Sequence, residues 1–418
     1  MAGTIHSLVL SPRHAKTSPF CFPTPRFLAS SSLLVSRSVS FNCNRLISRP
    51  TRACQQPDKV GGNGGQADIT SGPAKGLTKQ FLDFASNNFL PFALVSGVAI
   101  GFANPSLGCL ADRYSLSKFS TVGIFIISGL TLRSEAIGAA VEAWSVGMFG
   151  LCSILLFTPY FSRLILQVQL QPQEFVTGLA IFSCMPTTLS SGIALTQLAG
   201  GNSALALAMT VISNLLGILI VPFSIAKFIA DGVGVSVPTK QLFRSLILTL
   251  LIPLVVGKVL RESSKGLADF VDKNSKLFSK ISALFLSLVP WIQVSRSRSL
   301  LLMVEPKIFL VAIGMGIMLH LFLLAFNSLA IRALSALSGG SKSVFAKEEN
   351  FSALLLVASQ KTLPVMVAVV EQLGGALGES GLLVLPCVAA HILQIVMDSF
   401  LVNIFLRKDR SSTKAKLA

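Results

Sequence analysis

The amino-acid sequence predicts an all-α polytopic membrane protein, and three observations lead to that fold class. Of the 418 residues, 52% are hydrophobic and only 13% are charged, whereas an ordinary soluble domain has roughly 25% charged residues. The apolar residues fall into ten segments near the length needed to cross a bilayer, about 20 residues. Two of these segments, one in each half of the chain, are interrupted by polar residues around a proline.

The N-terminal region differs in composition from the rest of the chain. Residues 1–57 hold seven basic residues, no acidic residue and many serines, without a sustained apolar run. This composition is typical of an organelle transit peptide and unlike a secretory signal. We predict a plastid transit peptide at 1–53, with a mitochondrial leader as the alternative. A flexible, Gly-rich mature N-terminus is predicted at 54–80.

Composition and motifs exclude several classes of function. The formal charge of +17 does not indicate nucleic-acid binding, because the basic residues outside the leader lie between apolar segments and form no single basic face. The seven cysteines are scattered, without a CxxC pair or zinc-ligand spacing. No HExxH sequence, GxSxG sequence with a suitably placed histidine, or Walker A loop is present. We therefore predict neither an intramembrane enzyme nor an ATP-driven pump.

Ten predicted spans occupy residues 81–406, and a basic C-terminal tail follows at 407–418. Five spans in each half force the halves into opposite orientations, which predicts two inverted repeats at about 81–230 and 240–406. Lys and Arg are about twice as frequent on the side that holds both termini, which should therefore face the stroma. In order, the spans are predicted at 88–104, 118–132, 144–166, 175–199, 203–229, 241–260, 277–294, 307–334, 351–370 and 381–406.

The first interrupted span, at 175–199, breaks at Pro186. Backbone that leaves the helix at membrane depth is tolerated only inside protein or along a wet cavity. Hydroxyls and unwound carbonyls can bind sodium or a polar substrate, and half-helix N-termini favour an anion. Helix packing is the other explanation, because serines are common at membrane helix interfaces. The candidate binding residues around this break are Thr187, Thr188, Ser190 and Ser191.

The second interrupted span, at 351–370, breaks before Pro364 and holds Lys361 near its middle. A lysine at the bilayer centre costs about 2.5–3.5 kcal/mol on insertion scales, so a functional role is favoured over snorkelling. Its ammonium group is a candidate either to replace a bound cation or to pair with a carboxylate, phosphate or sulfate of the substrate. The candidate binding residues of this span are Ser359, Gln360, Lys361 and Thr362.

The last span places His391, Gln394 and Asp398 on one helix face, because their offsets are three and seven residues. These are candidate coupling residues. Asp398 is a candidate to pair with Lys361 or to shuttle a proton, and His391 is a candidate to titrate near physiological pH. The alternative is that Asp398 lies near the membrane surface and is merely solvated.

The eighth span places His320 and Asn327 on a shared helix face, seven residues apart. We expect His320 to be a buried histidine with satisfied hydrogen bonds. The sequence does not favour a binding site there.

Four motifs resemble the bile acid:sodium symporter family. They read SGLTLRSE at 128–135, CMPTTLSSGIALTQLAGGN at 184–202, ALALAMTVISNLLGILIVP at 204–222 and SQKTLP at 359–364. The last motif resembles a divergent branch of the family. With the predicted plastid leader, the chain is similar to plant chloroplast sodium/metabolite cotransporters, and the resemblance covers roughly 81–406.

The resemblance implies a panel domain of spans 1, 2, 6 and 7 and a core domain of spans 3, 4, 5, 8, 9 and 10. Spans 4 and 9 would be discontinuous and would cross each other. The sodium ligands of the family, carried onto this sequence, fall near Ser191 and on Thr210. Ala206 stands where another hydroxyl is expected, and Ser213 and Asn214 lie about one turn beyond Thr210 as further candidates.

Two positions depart from the family pattern. The glutamate that serves two sodium ions in span 9 is missing, and residues 359–362 read SQKT in its place. The glutamine expected in span 3 falls near Ser153 or Ile154. We therefore expect at least one sodium site to be lost.

These observations predict a secondary active transporter of a small organic anion across the chloroplast envelope. Sodium is the candidate coupling ion, with a proton-coupled or uncoupled carrier as the alternative. A non-transporting membrane regulator of another carrier is the alternative from a different class. Membrane lipid and the organic anion are the expected partners, and neither nucleic acid nor ATP is expected.

Overall fold

The computed structural model describes residues 89–133 and 143–417, and within these ranges it contains helices and no β-strand. The predicted transit peptide at 1–53, the segment at 54–80 and the first residues of the membrane region lie outside the described residues. The backbone of the predicted tail continues the last helix as far as Leu417.

Fifteen α-helical elements are defined here in chain order. They are α1 (Phe89–Ala103), α2 (Pro105–Arg113), α3 (Leu116–Thr131), α4 (Trp144–Ile165), α5 (Gln173–Ser183), α6 (Ser191–Leu198), α7 (Ser203–Val233), α8 (Thr239–Ser263), α9 (Lys265–Lys273), α10 (Ser275–Arg296), α11 (Arg298–Met303), α12 (Pro306–Leu337), α13 (Glu348–Ser359), α14 (Leu363–Leu373) and α15 (Ser380–Leu417).

The described residues contain seven helical segments long and apolar enough to cross a membrane, or eight when the bent pair α1 and α2 is one span. The segment Glu348–Leu373 is one of them and contains both α13 and α14. Two of the ten predicted spans do not reach this length: α3 has only 16 residues, and the span at 175–199 is divided between α5 and α6. The polytopic all-α class is therefore confirmed.

Both predicted helix interruptions are present. The chain leaves the helix between Ser183 and Ser191, around Pro186, and again between Ser359 and Leu363, before Pro364. A third break was not predicted from the sequence. The chain bends by 102° between α1 and α2. Asn104 caps α2 by accepting a hydrogen bond from the nitrogen of Ser106 at 3.2 Å, and a proline follows the cap, which favours a new helix start.

Three of the long helices contain a π-helical turn next to a proline. These turns are Ser153–Phe157 in α4, Ile225–Ala230 in α7 and Ile247–Leu251 in α8, close to Pro159, Pro222 and Pro253. Proline removes one N–H donor and crowds the preceding turn, so at Pro159 and Pro253, which follow their π-helical turns, local widening relieves the clash. At Pro222 the π-helical turn comes after the proline, and this account does not cover it.

The helices pack as two groups. In the first group, which we call the outer group, α1, α3, α8 and α10 pack on one another. In the second, called the central group, α4, α5, α6, α7, α12, α13, α14 and α15 pack together. On the edge of the outer group, Arg261 and Arg133 both pair with Asp272 of α9, at 2.9 and 3.2 Å. The hydrogen bond from Arg261 lowers the pKa of this carboxyl.

Two glycines allow a close helix contact in the outer group. A Cβ atom on Gly129 of α3 would lie 2.1 Å from the carbonyl oxygen of Leu254, and one on Gly257 of α8 would lie 2.2 Å from that of Ile126. The two backbones therefore touch directly, as small residues permit between membrane helices.

Candidate binding site

A cavity of about 410 Å³ lies between the outer group and the central group of helices. Its polar lining comes from the two interrupted segments, from α7 and His391, and from the outer group, which contributes Ser128, Thr131, Ser275, Ser279 and Ser282. None of the described residues that line the cavity is acidic, lysine or arginine. Of the predicted site residues, the cavity is lined by Thr188, Ser190, Ser191, Thr210, Asn214, Thr362, Pro364 and His391.

The two interrupted segments cross beside this cavity and are hydrogen-bonded to each other. The nitrogen of Thr362 donates to the carbonyl oxygen of Pro186 at 2.9 Å. The hydroxyl of Thr187 donates to the carbonyl oxygen of Val357 at 2.5 Å. Each segment therefore satisfies backbone groups that the other leaves free, as an unwound backbone at membrane depth requires.

Two helices begin at the cavity. Helix α6 starts at Ser191, where the hydroxyl of Thr188 accepts a hydrogen bond from the nitrogen of Gly192 at 3.1 Å. Helix α14 starts at Leu363, directly after Thr362 and with Pro364 in its first turn. A helix N-terminus carries partial positive charge, so both ends favour negative charge in the cavity.

Gln360 connects the cavity wall to the interior of the central group. Its Oε1 atom accepts hydrogen bonds from the hydroxyls of Thr188, at 2.5 Å, and Ser191, at 2.9 Å. Its Nε2 atom donates to Oδ2 of Asp398 at 2.6 Å. The amide therefore joins two cavity-lining hydroxyls to a buried carboxyl group.

Asp398 is fully buried and pairs with His320. The Nε2 atom of His320 lies 2.9 Å from Oδ1 of Asp398, and its Nδ1 atom lies 3.2 Å from the carbonyl oxygen of Ser359. The prediction that Asp398 is solvated near the surface is wrong, because its exposed fraction is 0%. The hypothesis that it pairs with Lys361 is also wrong. The prediction of a buried, hydrogen-bonded His320 is confirmed.

Lys361 is buried but does not line the cavity. Its ammonium group donates to the hydroxyl of Thr158 at 2.5 Å and to the carbonyl oxygens of Met185 and Ile154 at 2.9 and 3.3 Å. All three acceptors are neutral oxygens. The structure thus gives no support for direct pairing with a substrate in the cavity, and the cation-replacement hypothesis stays a prediction.

The remaining candidate coupling residues hold the link between α13 and α14. Gln394 accepts from the nitrogen of Lys361 at 3.0 Å and donates to its carbonyl oxygen at 2.7 Å. His391 contacts the same carbonyl oxygen through Nδ1 at 3.2 Å and also lines the cavity. The predicted common helix face of His391, Gln394 and Asp398 is confirmed. This face contacts the backbone of Lys361, and His391 also lines the cavity.

Three cavity-lining side chains have a buried oxygen without a hydrogen-bond partner: Thr210 Oγ1, Asn214 Oδ1 and Thr362 Oγ1. Asn214 is fixed on its other side, because its Nδ2 atom donates to the carbonyl oxygens of Thr187 and Thr210 at 3.0 and 2.8 Å. Buried polar atoms normally have partners, so these three oxygens are the cavity groups left free to bind ordered water or a ligand.

Two predicted candidates are internal to the helix packing. Ser213 donates to the carbonyl oxygen of Thr210 within α7 at 3.1 Å and does not line the cavity. Ser359 accepts from Nδ2 of Asn327 at 3.0 Å, while Oδ1 of Asn327 accepts from Ser153 at 2.6 Å. The sequence did not predict Thr158 and Ile154 as partners of Lys361, because a threonine directly after a π-helical turn has no distinct sequence pattern.

A polytopic helical protein with two crossed, interrupted helices beside a polar cavity has the architecture of a secondary transporter. Comparison with protein families gives the same class: residues 87–407 match the SBF-like CPA transporter family. The chain belongs to this family, and it is therefore a transporter and not an enzyme.

Proteins similar to this chain are named as sodium/metabolite or sodium/bile acid cotransporters. The chain is 63% identical to the "Probable sodium/metabolite cotransporter BASS4, chloroplastic" of Arabidopsis thaliana, over 96% of this chain and 98% of the relative. It is also 63% identical to the protein of the same name in Oryza sativa subsp. indica, over 81% and 80%. A more distant relative is the "Sodium/bile acid cotransporter 7" of Xenopus tropicalis, 27% identical over 71% and 83%.

Proposed function

We propose that this protein carries a small organic anion across the inner chloroplast envelope by alternating access, with the cavity beside the helix crossing as its binding site. The observation that carries the proposal is the position of two helix N-termini and three unpartnered oxygens on one cavity. The helix ends favour an anion, and the hydroxyl and amide groups supply the polar contacts that a metabolite needs to leave water.

The proposed topology has ten spans in two inverted repeats, with a panel domain formed by the outer group and a core domain formed by the central group. The separate packing of these two groups supports this division. The interruption at Pro186 lies in the fourth proposed span and the interruption before Pro364 lies in the ninth, which are equivalent places in the two repeats. Movement of the core against the panel would expose the cavity to each side in turn.

The cavity size and lining limit the substrate. About 410 Å³ is at the lower end of the range for ligand pockets, roughly 300–1,000 Å³. Since none of the described lining residues is acidic, an anionic substrate meets no repulsive side chain there. Lys361 contributes through its position behind the crossing and does not contact the substrate.

Sodium is the coupling ion that the relatives' names suggest. Ser191 and Thr210 are the proposed sodium ligands, and the free oxygens of Asn214 and Thr362 are of the hard type that this cation prefers. A carboxylate that would neutralise the ion is absent from the described lining. We therefore propose at most weak sodium coupling.

The proposed location rests on two independent points. The predicted leader at 1–53 has plastid-type composition, and the 63% identical relatives carry the word "chloroplastic" in their names. The distribution of Lys and Arg favours both termini in the stroma.

Flux into proteoliposomes tests the function. The mature chain is reconstituted, and uptake of radiolabelled lactate, malonate and sulfate is measured as probe anions. Thr210→Val removes one free cavity oxygen at nearly constant volume and should lower uptake at least tenfold. Ser213→Ala, three residues away and bonded within its own helix, is the matched control and should keep wild-type uptake.

Absence of uptake of every probe in the wild type would contradict the anion-carrier proposal and favour the non-transporting regulator. Equal uptake in Thr210→Val and Ser213→Ala would show that this cavity is not the binding site.

A further inference from the structure

We propose that the His320–Asp398 pair is a proton-binding site that switches the hydrogen-bond polarity of the cavity through the Gln360 amide, so that a proton and an anion bind together. The inference rests on the proposed anion-carrier function and supplies its coupling ion. It follows from counting the hydrogens shared by five side chains: His320, Asp398, Gln360, Thr188 and Ser191.

The pair holds a fixed number of protons in the observed geometry. Nδ1 of His320 faces the carbonyl oxygen of Ser359 at 3.2 Å, which only accepts, so Nδ1 carries a hydrogen. One hydrogen must also lie between Nε2 and Oδ1 of Asp398, 2.9 Å apart. Whether it belongs to the imidazole or to the carboxyl group, the pair is neutral overall.

A further proton has one place to bind, namely Oδ2 of Asp398, because both ring nitrogens and Oδ1 are already engaged. That oxygen now accepts from Nε2 of Gln360 at 2.6 Å. A protonated Oδ2 is a donor and would face the donating amide nitrogen. The conflict is relieved when the Gln360 amide turns over and presents Oε1 to the new O–H group.

The turn of the amide changes the cavity wall. At present the hydroxyls of Thr188 and Ser191 give their hydrogens to Oε1 of Gln360. Once the Gln360 amide has rotated, the hydroxyls of Thr188 and Ser191 would accept hydrogen bonds from Nε2. Their own hydrogens would then be free to donate into the cavity, which both residues line. Hydroxyl hydrogens stabilise an anion, and the added positive charge behind the wall acts in the same direction. Proton binding therefore favours anion binding, which is the requirement for symport.

Other titratable groups on the surrounding elements have separate positions. Lys361, in the link before α14, directs its ammonium group to α4 and to the backbone after α5, and His391 on α15 contacts the carbonyl oxygen of Lys361. Helix α6 has no titratable side chain. On α5, α12, α13, α14 and the part of α15 up to Leu406, the remaining titratable groups are Glu174, Lys307, Arg332, Glu348, Glu349, Glu371 and Cys387, and Cys184 directly follows α5. The hydrogen bonds of His320 and Asp398 in the described residues involve none of them.

Infrared difference spectroscopy of the full mature chain in lipid nanodiscs tests the proton site without a substrate. On acidification, we expect a carbonyl band of a protonated carboxyl group to appear or shift in the wild type, and no such change in Asp398→Asn. Asp231→Asn, which changes an exposed acid, is the matched control and should keep the band. A band that is unchanged in folded Asp398→Asn would overturn the proton site.

Gln360→Met tests the connection and keeps the pair intact. This variant should retain the infrared band, while uptake of the probe anions lactate, malonate and sulfate should lose its stimulation by an inward proton gradient. Two results would overturn the proposed proton coupling: wild-type uptake at the same rate with and without the proton gradient, or a Gln360→Met variant whose uptake depends on the gradient as strongly as that of the wild type. No uptake of any probe together with an Asp398 band would instead count against the proposed carrier function.

Discussion

The nitrogen of Thr362 donates to the carbonyl oxygen of Pro186 at 2.9 Å, and this bond joins the two interrupted segments where both have left the helix. The two residues are far apart in sequence, and each lies within three residues of a new helix start or end. At the crossing, a backbone group of one half of the chain therefore forms the hydrogen bond that a backbone group of the other half needs.

We predict that Thr187→Val lowers stability through the same crossing. The hydroxyl of Thr187 bonds to the carbonyl oxygen of Val357 in the other segment, and such bonds between membrane helices contribute about 0.6 kcal/mol on average and at most about 1.7 kcal/mol. Thermal unfolding in detergent should show a loss in this range.

Thr196→Val is the control, because the equally buried hydroxyl of Thr196 bonds to Gly192 within its own helix at 2.8 Å. If both variants lose the same stability, the bond across the crossing has no special role.

We predict that Gly129→Val separates α3 from α8. The added Cβ atom would lie 2.1 Å from the carbonyl oxygen of Leu254, and backbone cannot move aside as a side-chain tip can. Overpacking typically costs about 1–3 kcal/mol, so the unfolding temperature should fall clearly.

Gly314→Val provides the matched substitution on α12, since no atom lies within 4 Å of its Cβ position. It should leave stability within about 0.5 kcal/mol of the wild type. Equal losses in the two variants would rule out the close contact at Gly129 as the cause.

The sequence predicts the interruptions but not their partners. Pro186, Pro364 and the polar residues beside them mark where the helix must end, because proline removes a donor at a depth where water cannot replace it. The bend at Asn104 was not predicted, because an Asn-Pro pair inside an apolar run also fits the end of a straight span.

The partners of buried polar residues depend on three-dimensional contacts that periodicity does not contain. The offsets in the last span correctly place His391, Gln394 and Asp398 on one face. They do not tell whether Asp398 meets Lys361 or His320, since both lie on other segments of the chain. The direction of Lys361, toward Thr158 and away from the cavity, likewise depends on how α4 packs.

We predict that Lys361→Met keeps or raises stability but abolishes uptake of the probe anions. The substitution leaves one carbonyl, that of Met185, without its donor, which costs about 1–3 kcal/mol, whereas Ile154 keeps a bond from Thr158 at 2.6 Å. Removing a buried ammonium group recovers several kcal/mol of desolvation. The net effect on folding should therefore be neutral or favourable.

Uptake should nevertheless fail in Lys361→Met, because the ammonium group fixes α4 and the end of α5 to the link that forms the cavity wall. Lys307→Met, at an exposed position, should change neither stability nor uptake. A large loss of stability would contradict the predicted recovery of desolvation energy, and normal uptake in a stable protein would show that transport does not need Lys361.

We predict shallow sodium dependence of uptake in the wild type, with a Hill coefficient no greater than about one. The described cavity lining has hydroxyl and amide oxygens but no carboxylate, and a bound cation without a compensating charge is costly in a low-dielectric site. A single sodium ion at Ser191 and Thr210 is the most that this lining supports. The Hill coefficient is obtained from uptake measured against sodium concentration, with choline replacing sodium at constant ionic strength. A steep dependence that requires two or more sodium ions would contradict the neutral character of the site, and the shallow dependence should disappear in Thr210→Val while it persists in Ser213→Ala.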